Sequence, residues 1–433
     1  MPVAPYRVLL VAEAANPEWS SVPLEGWSLA RSLAKLTDAH LVTQIRNREA
    51  LLRAGLVEGR DFTAIDNEYS ARPLLHLAEL LRGGTGKGWT TVTAFSSLAY
   101  YSFERELWRR LGSRITAHEF DLVHRITPIS PTSQSLMASW LARHNVPFVI
   151  GPLNGGVPWP RHFLDRQYAE REWLSLIRPL FRALPGYRST YRRSAAIIAG
   201  SKHTYGELPH AVRERCVYIP ENGVDMARFA SPRRRQASIP LRVAFVGRLV
   251  PYKGADMLLE ATCDFQKRGQ LELHIVGDGP QRPLLEAMVD RMGIRSSIKF
   301  HGWVPHIEVQ ARLADCDVLA LPSIREFGGA VVVEAMALGL APIVADYGGP
   351  SELVDDRSGI RVPFSDAASL VDGMRGAIGK IIARPQIVDE LGKAGRQRVL
   401  EKFTWDAKAK QIFAVYEAVL NGSKNLTSLG FVN

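Results

Sequence analysis

Cysteine is scarce in this chain: Cys216, Cys263 and Cys316 are scattered and odd in number. They form no disulfide framework or metal-cluster spacing and fit a reducing cytoplasm. Long apolar runs are missing too, and none reaches the roughly 18 residues a membrane-crossing helix needs. The opening stretch Tyr6-Arg7-Val8-Leu9-Leu10-Val11-Ala12-Glu13 is too short for a signal peptide and reads as a buried first strand. Zinc-finger spacing, a basic zipper and an RNA-recognition signature are absent, so no nucleic-acid partner is expected. There is no short internal repeat and no extensive low-complexity tract.

What is present is enough for large cores. The chain has 433 residues, 46% of them hydrophobic, which suits two or three domains of about 150 residues each. Its net charge of +10 is uneven: residues 1–200 carry 24 Lys and Arg against 17 Asp and Glu. A basic surplus of this kind suits an anionic membrane surface or a phosphorylated acceptor. An ordinary solvated surface is the plainer alternative.

Apolar strand candidates alternate with longer amphipathic stretches, the pattern of βαβ units and mainly parallel sheets. The first half offers strands at Arg7–Ala12, His40–Gln44, Leu122–His124, Pro147–Ile150 and Ala196–Ala199. Helices are expected at Gly26–Leu36, Leu74–Leu81, Glu104–Leu111 and Thr132–His144. After a polar, basic linker at Ser231–Gln236 the pattern restarts. Strands follow at Arg242–Val246, Glu272–Val276, Ile298–Phe300, Val318–Leu321 and Ala341–Val344, with helices at Gly254–Gln266, Pro280–Met292 and Val332–Leu338. A terminal helix over Thr404–Leu420 is placed to pack back across both halves. The expected domains are residues 1–216, residues 217–403, and a final helix and tail over residues 404–433.

Four glycine-containing turns follow strands in the second half. Gly247-Arg248-Leu249-Val250-Pro251-Tyr252-Lys253-Gly254 puts two cations just beyond a strand, where they can stabilise the charge of a departing diphosphate. Val276-Gly277-Asp278-Gly279-Pro280 lets backbone approach closely. In Arg325-Glu326-Phe327-Gly328-Gly329-Ala330-Val331-Val332-Val333-Glu334, two carboxylates bracket seven residues, and the glycines sit at an expected helix start whose amides suit an anion. Glu334 is placed to accept ribose hydroxyls, and Glu326 to lie nearer a transferred sugar. The fourth turn is Tyr347-Gly348-Gly349-Pro350.

With Glu221-Asn222-Gly223-Val224-Asp225 and His301-Gly302-Trp303-Val304, these segments resemble, in order and spacing over residues 217–420, the donor domain of the retaining glycosyltransferases of family 4. That resemblance implies a GT-B fold: two facing Rossmann-like domains with mainly parallel sheets, an N-terminal acceptor domain and a C-terminal donor domain. It implies that Arg248 and Lys253 bind the diphosphate, that Glu334 binds the ribose and that Glu326 contacts the donor sugar. Gly247, Gly277 and Gly279, with Phe327, Gly328 and Gly329, would line the donor site.

The first half matches more loosely, through Asp121–Pro128, Gly151–Gly156 and Glu25–Ala30. His124 falls near the family's catalytic-site histidine, but Ile126 stands where some relatives carry a second one. A role for His124 in positioning donor or acceptor therefore competes with a core histidine, and Gly26 as a phosphate-facing residue competes with a helix-start glycine.

The implied activity is retaining transfer from a nucleoside-diphosphate sugar to a saccharide, lipid-linked or small-molecule hydroxyl, in cell-envelope or polysaccharide biosynthesis. No cofactor or metal is expected. A nucleotide-sugar epimerase, a glycan phosphorylase and an inactive nucleotide-sugar binding module are the alternatives on this fold. No pyridoxal-lysine motif supports the phosphorylase. Asp315-Cys316-Asp317 mimics a metal-binding Asp-x-Asp but runs directly into an apolar strand. Gly83–Gly88 mimics a phosphate loop without its required glycine and hydroxyl. Arg161–Arg193 mixes arginines with aromatics, as either a membrane-docking segment or a solvated insertion. The expected location is cytoplasmic, with peripheral contact at the inner face of the membrane.

Overall fold

The computed structural model describes residues 6–73, 89–169, 183–229 and 236–429. The Leu74–Leu81 helix candidate, the 83–88 loop, and positions 170–182 and 231–235 lie outside these. The chain divides into two compact units. One comprises residues 1–156, 171–221 and 405–433; the other comprises 157–170 and 222–404.

The first unit is built on a seven-stranded sheet of order β3-β2-β1-β4-β5-β6-β7. Its strands are β1 Arg7–Ala12, β2 Asp38–Gln44, β3 Phe62–Ile65, β4 Leu122–Thr127, β5 Phe148–Leu153, β6 Ala196–Ala199 and β7 Cys216–Tyr218. Every adjacent pair is parallel. Parallel sheets are covered on both faces, so their strands read as near-continuous apolar runs. Side chains of β1 alternate accordingly. Val8, Leu10 and Ala12 enter a core with helix α1, Val22–Leu33. Leu9 and Val11 enter the opposite core with α2, Trp89–Thr116, and α3, Met137–Arg143.

The second unit carries a six-stranded parallel sheet of order β10-β9-β8-β11-β12-β13. Its strands are β8 Leu241–Val246, β9 Leu271–Val276, β10 Ile298–Gly302, β11 Val318–Leu321, β12 Ala341–Ala345 and β13 Ile360–Val362. Helices α4, Ala255–Lys267, α5, His306–Leu313, and α6, Ala330–Leu338, connect them. Chain order reverses between β1 and β4 in one sheet and between β8 and β11 in the other. In open α/β sheets, ligands collect beyond the carboxyl ends of strands at such switch points.

The final helix α7, Trp405–Leu420, belongs to the first unit. Trp405, Ala409, Ile412 and Tyr416 recur at helical spacing and join the α1 core. Each large apolar side chain buried this way contributes about 1.5–3 kcal/mol.

Three features depart from the expected chain path. Residues 157–170 pack with the second unit, where Phe163 enters the core and Arg166 pairs with Asp256 at 2.7 Å. The edge strands β3, β7 and β13 are additional to the expected ones, and their three or four residues carry little periodic signal. Helix α2 also extends well past the expected Glu104–Leu111. No described helix is long and apolar enough to cross a membrane.

Candidate functional site

Within the second unit, the turns after β8, β9 and β11 converge. A Cβ at Gly277 would lie 2.0 Å from the carbonyl oxygen of Gly247, and one at Gly279 would lie 2.5 Å from that of Leu249. Only glycine allows these two turns so close an approach. Beside them is a pocket of about 400 Å³ lined by Gly247, Arg248, Gly277, Asp278, Trp303 and Val309, among others. Trp303 is 75% exposed, leaving a large indole face at its edge.

The cation turn and the carboxylate loop meet directly. Lys253 closes a short helical turn after β8 and donates from Nζ to Oε2 of Glu326, in the loop after β11. Both side chains are mostly shielded from water. Burial opposes the charged ammonium, yet the Glu326 carboxylate, assisted by Tyr252, holds the Lys253 pKa above its ordinary value. Arg248 remains exposed on the pocket wall. The residue before Glu326, Arg325, has its guanidinium 5.0 Å from the ring centres of both Trp159 and Phe327. Its Nε donates to the Val157 carbonyl at 3.1 Å. Sequence spacing gave no sign of this clamp, because Trp159 precedes Arg325 by well over a hundred residues.

Gly328 and Gly329 are buried, and Gly329 holds a left-handed φ of 81° as it starts α6. The fourth turn presses on the same loop: Gly349 N–H donates to the Glu326 carbonyl at 3.1 Å. Helix α6 is apolar and buried apart from one charge, Glu334. A carboxylate in such a helix requires a partner. His306 Nε2 supplies it, donating to Oε1 at 2.7 Å. Position alone could not reveal this pair, because His306 belongs to none of the recognisable motifs.

Gly247, Arg248, Lys253, Gly277, Gly279, Glu326, Phe327, Gly328, Gly329 and Glu334 all lie in the second unit. His124 and Gly26 lie in the first unit. His124 is fully buried in the first unit. Its Nε2 lies 2.7 Å from the Gly151 carbonyl and its Nδ1 lies 2.5 Å from the Tyr416 hydroxyl. A carbonyl only accepts, so the neutral ring carries its proton on Nε2 and accepts from Tyr416 at Nδ1. Burial is the main cause of its pKa falling to about 4. Both ring nitrogens are thus satisfied, as in a core histidine. Gly26 is a packing glycine: an added Cβ would lie 2.2 Å from the Ala14 carbonyl oxygen. Asp317 of the Asp-x-Asp look-alike accepts the Arg242 N–H at 2.9 Å. It serves the start of the sheet.

Two parallel-sheet Rossmann-like units with these connections define the GT-B class. Residues 232–398 match the family model of the glycosyl transferases group 1. That match spans all six strands of the second unit, and the curated relatives of the chain include proteins named as glycosyltransferases.

Among its relatives, D-inositol 3-phosphate glycosyltransferase of Jonesia denitrificans is 30% identical over 254 residues, spanning 54% of this chain and 59% of that protein. The GDP-mannose-dependent alpha-(1-6)-phosphatidylinositol monomannoside mannosyltransferase of Mycolicibacterium smegmatis is 31% identical over 207 residues, spanning 44% and 53% respectively. The chain thus spans little more than half the length of these curated relatives. In fold it resembles sucrose-phosphate synthase from Thermosynechococcus elongatus, with a TM-score of 0.64, 19% identity, and coverage of 96% of this chain and 100% of that one. It also resembles Anabaena HepE in complex with UDP and glucose, with a TM-score of 0.59, 17% identity, and coverage of 95% and 100%.

Proposed function

We propose that the chain is a retaining family 4 glycosyltransferase that moves a sugar from a nucleoside-diphosphate donor to a hydroxyl of a saccharide, lipid-linked or small-molecule acceptor. The observation that carries this reading is the Lys253–Glu326 pair on the turn that also puts Arg248 on the pocket wall, with Glu334 held by His306, on the segment between pocket residues Val304 and Val309. A nucleoside diphosphate has three parts to bind, and each has a chemically suited neighbour. The base suits the pocket between Gly277 and Trp303, the ribose suits Glu334, and the diphosphate suits Arg248 and Lys253. Preorganised cations of this kind stabilise charge that grows as the leaving group departs.

In this mechanism the bond between the anomeric carbon and the phosphate oxygen breaks while the acceptor oxygen attacks from the same face. The acceptor proton passes to the departing phosphate, whose negative charge Arg248 and Lys253 hold. Glu326 orients Lys253 and meets the transferred sugar. No enzyme carboxylate has to form a covalent intermediate, and His124, enclosed in its own core, takes no step. Acceptor binding falls to the first unit, and the basic surplus there favours a phosphorylated acceptor or peripheral contact with an anionic membrane at its cytoplasmic face.

A thermal-shift screen of UDP-, GDP-, ADP- and dTDP-sugars identifies the donor. An NMR time course with that donor and a panel of acceptors then reads the anomeric configuration of the product. Retention is expected, whereas inversion overturns the mechanism. Tight donor binding without turnover on any acceptor overturns the assignment as a transferase.

A further inference from the structure

Glu334 is the lone charge in α6, and the way it is held has a consequence for selectivity. Its partner His306 opens helix α5, two residues after Val304 and three before Val309, and both of those line the pocket. The histidine thus stands on the segment that borders the pocket while its ring reaches α6. Nε2 donates to Glu334 Oε1 at 2.7 Å. The ring also meets buried Phe229 in an edge-on contact, with centroids 6.0 Å apart and planes at 62°. Two unrelated elements therefore fix the imidazole, and the imidazole fixes one oxygen of the carboxylate.

We infer that His306 is the positioning residue that holds Glu334 in the orientation required to read the ribose hydroxyls, so that His306 sets the enzyme's preference for ribose over deoxygenated sugars in the donor nucleotide. This inference rests on the assignment of Glu334 to the ribose. Glu334 carries no other charge near it on α6, and its side chain is only 11% exposed. Without a donor on Oε1, a carboxylate so enclosed would turn toward solvent or repack. With Oε1 anchored, Oε2 is left to accept from a vicinal diol. The bond to Glu334 also keeps the imidazole pKa raised, against burial and the opposing charge of Arg228. Either protonation state retains the Nε2–H that makes the contact.

The test compares binding of UDP and GDP with that of their 2′,3′-dideoxy counterparts by calorimetry. It uses the wild type, His306→Ala, His306→Gln, Glu334→Ala and Glu334→Gln. Hydrogen bonds to a charged carboxylate are strong enough that the wild type should favour the ribose form roughly tenfold or more. His306→Ala should bring the ratio close to one while leaving dideoxy binding unchanged. His306→Gln, whose amide can still donate to Glu334, should restore much of the ratio. A merely structural role for His306 would weaken both ligands alike, and that outcome overturns the inference. If His306→Ala preserves the ratio while Glu334→Ala abolishes it, the positioning role fails and the ribose assignment stands. If neither Glu334 variant alters the ratio, the ribose assignment itself fails.

Discussion

The two units share a topology and differ in what their polar side chains do at the strand ends. In the second unit, Arg248 lines a pocket, Lys253 on the same turn pairs with Glu326, and Glu334 pairs with His306, which follows the pocket residue Val304 by two positions. In the first, the chemically suggestive residues are enclosed. His124 is held between Gly151 and Tyr416. Glu104, fully buried on α2, accepts from Ser135 Oγ at 2.5 Å and from the Leu136 and Met137 amides at 2.6 and 3.3 Å. It thereby caps the start of α3 and leaves few lone pairs for a substrate. A titratable residue at the end of a strand is thus weak evidence of chemistry until its hydrogen-bond partners are known.

The contrast can be broken most readily at Lys253. Replacing it with alanine removes a cation from the proposed diphosphate and orphans Glu326. Turnover should fall by roughly 10²–10³-fold, with the melting temperature little changed. Activity within a fewfold of wild type would remove the distinction between the units.

A second effect belongs to the first unit and concerns stability. His124 has its pKa lowered to about 4 by burial, whereas in the unfolded chain it titrates near 6.5. The unfolded state therefore binds more protons between these values, and stability falls as the pH falls. The loss from this group approaches about 3 kcal/mol once the pH is below 4. Denaturant melts from pH 7 to 4 should show a shallower slope for His124→Gln than for wild type. Identical slopes would mean that the ring is not buried neutral.

The smallest effect is expected at Tyr416→Phe, which keeps the ring in the α1 core but withdraws the hydroxyl from His124. A loss of about 1–2 kcal/mol in stability is expected, with unchanged kcat and KM. A drop in kcat without a stability change would return His124 to the catalytic groups.

Legibility in the sequence followed the same divide. Five of the six strands and the four glycine turns of the second unit could be read because the backbone constraints there are local. Gly277 must let Gly247 approach, and a helix must begin at Gly329. Those constraints leave fixed letters at fixed spacing. The long-range pairs left none. His306 with Glu334, Tyr416 with His124, and Trp159 with Arg325 are each set by tertiary packing of elements far apart in the chain. The surroundings of His124 are hidden for that reason, since Tyr416 is far from β4 in the chain. The short edge strands escaped notice because they bury few residues.

The central claim is that nucleotide binding belongs to the second unit alone. Calorimetric titration of UDP, GDP, ADP and dTDP into the wild type, Glu334→Ala and His124→Gln proteins tests it most directly. At least one nucleoside diphosphate should bind the wild type, bind Glu334→Ala roughly tenfold or more weakly, and bind His124→Gln with unchanged affinity. Equal weakening in both variants, or full affinity in Glu334→Ala, would contradict it.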